Sequence, residues 1–182
     1  MSESYGGRTM AFHHLALATT DLAETHRFYT EAMGFELVMV EGAPTEVEGG
    51  WLRHVLYDTG DGTLLAFAEL HDDRCRDFDP AISRGLGLPS WVNHIAFAVH
   101  DLDALDAARD RWLRTGHDVV RMEHTLGPSI YTEDPNGNTV EWSCSMRPIT
   151  DEHRMQAGRR LAGEIPLDAP TDMEFFEAAA YV

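Results

Sequence analysis

The chain has 182 residues, of which 43% are hydrophobic, so it can bury the core of one domain and is too short to favour a second. It carries 31 Asp and Glu against 14 Lys and Arg, and the resulting net charge of −17 would repel nucleic acid and anionic membranes. Cys75 and Cys144 form neither a CxxC motif nor a disulfide framework, and no stretch reaches the roughly 18 apolar residues of a membrane span. We therefore expect a cytoplasmic protein without nucleic acid or a membrane as partner.

Two segments of the chain repeat one pattern at an offset of 80 residues. FHHLALATTDLAETHRFY (12–29) is echoed by VNHIAFAVHDLDALDAAR (92–109), and His14 matches His94. Such self-similarity indicates two copies of one supersecondary unit.

Each copy is predicted to fold as βαβββ. An alternating strand changes to a helical period after Asp21 and again after Asp101, and Gly34 and Gly116 occupy positions typical of helix ends. Strand-like runs follow each helix: 35–41, 51–57 and 63–70 in the first copy, and 118–123, 129–132 and 139–144 in the second. The predicted fold class is therefore α+β.

The segments outside the repeat are a linker and a tail. Residues 71–90 are rich in Gly, Pro and Asp, which indicates a linker between the copies. Beyond Pro148 we predict a helix over 151–163 and an amphipathic helix over 171–180. The expected organisation is one domain over 8–146, with units at about 10–70 and 91–146, and a C-terminal helical extension over 147–182. This extension could cap the open site, pack on the outer sheet or mediate a homodimer.

The repeated histidines lie on sparsely filled strand faces. Because alternate strand residues share a face, His14 and His94 each share one with two alanines, while larger apolar residues point the other way. A lone strand histidine is more often a core or surface residue than a ligand. Two at matching repeat positions, on faces with room for a metal and a substrate, favour metal ligands. His13 has the opposite parity and is predicted to face away.

Glu141 is the predicted carboxylate partner of these histidines. It follows the turn sequence DPNGN (134–138) and is flanked by Val140 and Trp142, so its side chain belongs to the face opposite two bulky groups. A carboxylate on a half-buried strand is costly unless it is paired or coordinates a cation. Two neutral imidazoles also leave the positive charge of a divalent ion uncompensated and some of its coordination positions unfilled. The alternative is an exposed glutamate on an edge strand.

The motifs HLALATTDL, HIAFAVHDL and YTEDPNGNTVEW, within residues 10–146, resemble the vicinal oxygen chelate superfamily. This superfamily includes glyoxalase I, fosfomycin and bleomycin resistance proteins and extradiol ring-cleaving dioxygenases. The resemblance implies two βαβββ units paired into one eight-stranded open cup or barrel, with a metal held by His14, His94 and Glu141. Glyoxalase-type members carry a further ligand on the last strand of the first unit, where Ala66 aligns here.

The resemblance thus implies the two-His-one-carboxylate arrangement of non-haem iron oxygenases. The expected activity is that of an extradiol-type dioxygenase acting on a small catechol-like or vicinally oxygenated substrate that chelates the metal. The expected metal is Fe(II), with Mn(II), Zn(II) and Ni(II) as alternatives.

The resemblance also implies two catalytic residues, Tyr131 and His124. Ring-cleaving dioxygenases carry a tyrosine ten residues before the carboxylate ligand, where it hydrogen-bonds a substrate oxygen, and His124 resembles another of their active-site histidines. The alternative for Tyr131 is an aromatic residue of a strand without a catalytic role, and the alternative for His124 is an ordinary loop residue. The acid–base histidine of those enzymes aligns with Thr63 or a neighbour, where no histidine is present, which leaves proton transfer to His124 or His71.

Two rival functions remain open. The first keeps the metal but changes the reaction to that of a glyoxalase, epimerase, lyase or thiol transferase. A phosphonate-binding transferase would need cationic groups, and few basic residues lie in the motif strands. The second is a non-catalytic resistance protein that binds a small molecule, although such relatives generally lack the three metal ligands.

Overall fold

The computed structural model describes residues 12–60, 62–75, 77–167 and 172–181, so residues 8–11 of the predicted domain and residue 171 of the predicted last helix lie outside it. The fold class is α+β, as predicted. The chain divides into two units, one ending at Pro80 and the other beginning at Ala81. One unit contains a four-stranded mixed sheet and the other a five-stranded mixed sheet.

The first unit follows the predicted βαβββ order. Its elements are β1 (His14–Thr19), α1 (Leu22–Arg27) continued by a π-helical turn (Phe28–Ala32), β2 (Glu36–Pro44), β3 (Trp51–Asp58) and β4 (Leu64–His71). The sheet order is β1-β4-β3-β2, with β1 parallel to β4. Tyr29, Tyr57 and Phe67 are fully buried, and the Tyr29 ring lies 4.8 Å from Phe67 and 5.9 Å from Tyr57 between ring centroids. These aromatic rings fill the core between the helix and the sheet.

The second unit repeats this order and adds a strand. Its elements are β5 (His94–Val99), α2 (Leu102–Arg114), β6 (Val119–Glu123), β7 (Pro128–Glu133), β8 (Thr139–Cys144), α3 (Asp151–Leu161) and β9 (Met173–Phe176). The sheet order is β5-β8-β7-β6-β9, with β5 parallel to β8. Leu105, Trp112 and Leu113 of α2 are buried, as are Val119 and Ile130 of the strands. Helix α2 therefore covers one face of the sheet, and we call the other side the open face.

The predicted helix boundaries are confirmed by their caps. The Asp21 carboxylate accepts a hydrogen bond from the Glu24 N–H at 3.0 Å, and the Asp101 carboxylate accepts one from the Ala104 N–H at 2.8 Å. Such N-cap bonds satisfy backbone donors that have no partner within a helix. Gly116 adopts a φ of 88° just after α2, a conformation that favours glycine. None of the helices in the described part of the chain is long and apolar enough to cross a membrane.

The helix predicted over 171–180 is wrong for its described residues. Met173–Phe176 is strand β9, antiparallel to β6, and Ala178–Tyr181 is a short 3-10 turn. The edge of β6 offers backbone donors and acceptors, and the pairing of Val120 with Phe175 uses them. The helical spacing of apolar residues in the tail could not reveal this partner, because the strand depends on a contact far away in sequence.

The turn before β8 predicts a measurable loss of stability. Asp134, only 4% exposed, accepts hydrogen bonds at 2.9 Å from the Asn136 N–H and at 2.8 Å from the Asn138 N–H. We expect Asp134→Ala to lower the free energy of unfolding by about 2 kcal/mol, because it leaves two buried donors without their acceptor. Urea denaturation would measure this loss. Asp134→Asn keeps an acceptor oxygen and should lose less, and equal stability of the alanine variant and the wild type would contradict the prediction.

Candidate metal centre

His94 and Glu141 project from the open face of adjacent strands. Strands β5 and β8 run parallel, and their register places Ala96 beside Glu141. Because alternate and paired residues share a face, His94 and Glu141 point to the same side. Their neighbours Ile95 and Val140 are buried on the side that α2 covers.

The two side chains meet through atoms suited to hold a cation. His94 Nε2 lies 3.2 Å from Glu141 Oε2, and the Glu141 side chain is only 8% exposed. His94 Nδ1 lies 3.2 Å from the Trp91 carbonyl oxygen, which can only accept, so Nδ1 carries the proton of this bond. In the neutral form of the imidazole, Nε2 then carries a lone pair, and this lone pair faces a carboxylate oxygen of Glu141. This arrangement requires a proton or a metal ion between the two atoms.

The separation of these atoms fits a shared metal ion. His94 Nε2 and Glu141 Oε2 lie 3.2 Å apart and could both bind one divalent ion, because imidazole nitrogen and carboxylate oxygen are common ligands of such ions. The bond from His94 Nδ1 to a backbone carbonyl is also the second hydrogen bond that ligating histidines commonly make. The donor set is therefore compatible with a divalent ion.

The predicted third ligand, His14, belongs to the other unit. It begins β1, and its Nδ1 lies 2.7 Å from His13 Nδ1, so Nε2 is the atom that a ligand role would use. The prediction that His13 faces away is wrong, because β1 begins at His14 and strand alternation does not extend to His13. Within either unit taken by itself, the described residues include no group of three His, Cys, Asp or Glu that could hold a metal.

Tyr131 and His124 lie beside this pair in the second unit. Tyr131 of β7 pairs with Glu141 in the sheet, and its ring centroid lies 6.3 Å from that of His94. His124 Nε2 lies 2.8 Å from the Tyr131 hydroxyl oxygen. The structure thus brings His94, Glu141, Tyr131 and His124 together in one cluster.

The Tyr131 hydroxyl is a hydrogen-bond donor at neutral pH. Burial, together with the negative charge of Glu141, raises the pKa of Tyr131 to about 12. The group therefore stays protonated and can donate to a carboxylate or to a substrate oxygen.

His124 is held by a tight turn between β6 and β7. The N–H of His124 donates to the Gly127 carbonyl at 3.1 Å, and the N–H of Gly127 donates back to the His124 carbonyl at 3.1 Å. Gly127 has a φ of 151°, and a Cβ there would lie 2.1 Å from the Cys144 carbonyl oxygen. Only glycine fits this turn, so the position of His124 depends on Gly127.

Two adjoining cavities open onto this cluster. A cavity of about 430 Å³ is lined by His94, His124, Tyr131 and Glu141, together with small residues that include Ser129. A cavity of about 920 Å³ shares the first three of these residues and extends over β6 and β9. The cluster is thus open to a ligand of the size of a small organic molecule.

The first sheet carries no counterpart of Glu141. Ala16 pairs with Ala66 in the parallel register of β1 and β4, just as Ala96 pairs with Glu141 in the second sheet. Ala66 is fully buried. The register therefore places Ala66 where the additional ligand of glyoxalase-type sites was expected.

His54 of β3 is a further histidine that the sequence motifs did not single out. His54 pairs with Ala68 in β4, on the same face as His14, and the alternation of β3 is the signal that could have found it. Thr63 precedes β4, and its carbonyl closes a turn by accepting from the N–H of Thr59. His71 lies on the opposite face from His14 and stacks on Trp51 at 3.8 Å between ring centroids. His124, one of the two histidines considered for proton transfer, lies in the cluster with Tyr131.

Comparison with known proteins identifies the family. Residues 11–142 match the model of the glyoxalase/bleomycin resistance protein/dioxygenase superfamily. The chain belongs to this superfamily. The resemblance expected from the sequence motifs is thereby confirmed.

One relative and two solved structures show what the chain is similar to. The iron-dependent extradiol dioxygenase of Rhodococcus jostii (strain RHA1) is 28% identical over 153 residues, which cover 76% of this chain and 44% of the relative. The chain thus spans less than half the length of that enzyme. The glyoxylase/bleomycin resistance protein/dioxygenase domain from Frankia sp. EAN1pec is 19% identical with a TM-score of 0.56, over 76% of this chain and 99% of that one.

The second structure is a fosfomycin resistance protein of Listeria monocytogenes complexed with Mn(II) and 1S,2S-dihydroxypropylphosphonic acid. It is 18% identical with a TM-score of 0.55, over 81% of this chain and 99% of that one. At these identities both structural likenesses show the fold alone.

Proposed function

We propose that the chain is a metal-dependent dioxygenase of the extradiol type, with Fe(II) held by His14, His94 and Glu141. The observation that carries this proposal is the approach of His94 Nε2 to Glu141 Oε2 at 3.2 Å, beside Tyr131 and His124 in one cavity. The similarity to an iron-dependent extradiol dioxygenase supports the same reaction. The substrate is a small catechol-like molecule, and both atoms of O₂ enter the product as its ring opens.

The metal would supply Lewis acidity that favours loss of protons from two adjacent substrate hydroxyls, and a path for electrons from the substrate to O₂. The protein supplies charge compensation and orientation. Glu141 provides the one negative charge among the three proposed ligands, and its side chain is almost completely shielded from water. A shielded carboxylate acts on a cation more strongly than an exposed one.

Tyr131 and His124 orient the substrate and move its proton. The Tyr131 hydroxyl lies in the cavity next to Glu141 and can donate to a substrate oxygen that approaches the metal ligands. His124 Nε2 lies 2.8 Å from this hydroxyl, so when the substrate hydroxyl passes its proton to the Tyr131 oxygen, the Tyr131 proton can move to Nε2, and the reverse movement can return a proton to the product. The pair thus links the substrate oxygen to an imidazole nitrogen that can bind a proton.

The proposal is tested by metal content and oxygen uptake. Protein reconstituted with Fe(II) without oxygen should hold stoichiometric iron, and it should consume oxygen in proportion to catechol lost. His14→Ala should lose the iron, since the proposed centre needs a ligand from the first unit. Tight zinc or nickel without oxygen consumption would instead support a lyase or isomerase of the superfamily. Absence of any bound metal would support a non-catalytic binding protein.

A further inference from the structure

Strand β9 adds a surface to the candidate site from outside the family-matched region. The superfamily match ends at residue 142, whereas β9 is Met173–Phe176. The strand pairs with the free edge of β6, and this register places Phe175 beside Val120 and Met173 beside Met122. The tail thereby widens the second sheet by one strand.

The chemistry of the open face changes across the sheet. One row of paired residues crosses all five strands, in the order Ala96, Glu141, Tyr131, Val120 and Phe175. The row is polar on β8 and β7, where the proposed ligand and hydroxyl lie, and apolar on β6 and β9. Three strand spacings, about 14 Å, separate Glu141 from Phe175. This distance is longer than a single catechol ring.

The apolar end of the row is exposed to the larger cavity. Phe175 is 72% exposed and Met173 is 53% exposed, and both line the cavity of about 920 Å³ that His94 and Tyr131 also line. Neither side chain is covered by α2, since both share the open face with Tyr131. Large apolar side chains displayed beside a polar cluster are the usual lining of a small-molecule site.

Strand β9 is held in place by contacts of its other face and of the turn that follows. The Asp118 carboxylate accepts a hydrogen bond from the Ala178 N–H at 2.8 Å. The guanidinium of Arg109, on α2, lies 5.3 Å from the centre of the Phe176 ring, within the range of a cation–π contact. The exposed Phe175 and Met173 therefore belong to an anchored strand.

We propose that Phe175 and Met173 form an apolar subsite that binds a hydrophobic substituent of the substrate. This inference rests on the proposed function, because it takes the dihydroxy end of the substrate to lie at Glu141 and Tyr131. The substrate class is then a catechol that carries an apolar group, such as a second ring, directed across β6 toward β9. The strand selects such substrates over unsubstituted catechol.

Binding without turnover tests the subsite. Anaerobic calorimetric titration of the full chain, loaded with Fe(II), would give Kd values for 4-phenylcatechol and for catechol. We expect the wild type to bind 4-phenylcatechol at least about tenfold more tightly, and the Met173→Ala, Phe175→Ala double variant to lose this preference. Glu174→Ala is the matched control, because Glu174 lies on the same strand with the opposite parity. Circular dichroism checks that the variants are folded.

Several results would overturn the subsite. They are equal affinity of the wild type for both catechols, no binding of either, or a preference that survives in the folded double variant. A double variant that changes the sedimentation coefficient would instead assign the strand to a contact between copies of the chain. Because the titration excludes oxygen, the subsite and the reaction are tested separately. A preserved binding preference without oxygen uptake in air would refute the dioxygenase and leave the subsite standing.

Discussion

Replacing Glu141 by glutamine is expected to abolish stoichiometric iron binding and to lower kcat for ring cleavage by about a thousandfold or more. The change keeps the shape of the side chain and removes the one negative charge among the three proposed ligands. Loss of about 4 kcal/mol of electrostatic stabilisation corresponds to that factor. Elemental analysis after reconstitution and a steady-state oxygen electrode assay would measure the two effects.

Thermal unfolding provides a readout of Glu141 that does not depend on activity. A metal that binds only the folded state raises Tm, so Fe(II) or Mn(II) should stabilise the wild type and leave Glu141→Gln unchanged. Without metal, the variant should be about as stable as the wild type or more so, because the substitution removes the desolvation cost of a carboxylate that is only 8% exposed. If Glu141 had a purely structural role, Glu141→Gln would be less stable than the wild type without metal, and metal would not change Tm of the wild type.

Glu123→Gln is the matched control for this substitution. Glu123 is also a strand carboxylate of the second sheet, but its Oε1 lies 3.2 Å from an Arg121 nitrogen and it has the parity of the covered face. Its variant should keep both the metal and the rise in Tm. The ligand role of Glu141 would be excluded if Glu141→Gln still bound stoichiometric metal and was still stabilised by it.

The repeat in the sequence predicted most of the fold because each signal was local. Strand alternation and the glycines after the helices depend on neighbouring residues, and the structure has strands at Trp51–Asp58 and Thr139–Cys144, where 51–57 and 139–144 were predicted. Strand β9 was missed because it exists through pairing with β6, 50 or more residues away. For the same reason the sequence did not predict that Phe175 lies beside Val120, because this placement depends on the pairing of β9 with β6.

The candidate site was predictable to the extent that parity and repeat position determine it. Parity placed His94 and Glu141 on one face, and the parallel register accounts for their approach. Parity could not predict the bond between His124 and Tyr131, because His124 lies in a turn whose geometry depends on Gly127. The resemblance to dioxygenases supplied this pair, and the interaction between its members is open to direct measurement.

Tyr131→Phe is expected to lower kcat/KM by about a hundredfold without loss of the metal. The phenylalanine keeps the ring that packs near His94 and removes the hydroxyl that lies 2.8 Å from His124 Nε2. Loss of a positioned proton donor or acceptor commonly costs a factor of about a hundred or more. Steady-state kinetics with metal analysis would measure the change. Tyr57→Phe is the control, since its hydroxyl lies 3.2 Å from His26 Nδ1 in the first unit.

A double-mutant cycle distinguishes a proton pathway from two independent contacts. If His124 acts on the substrate through the Tyr131 hydroxyl, His124→Gln should cost much less in Tyr131→Phe than in the wild type, with a coupling energy of about 1–2 kcal/mol. Additive losses would show that each residue contacts the substrate separately. Unchanged kcat/KM in Tyr131→Phe would remove the Tyr131 hydroxyl, and with it any proton pathway through this hydroxyl, from the reaction.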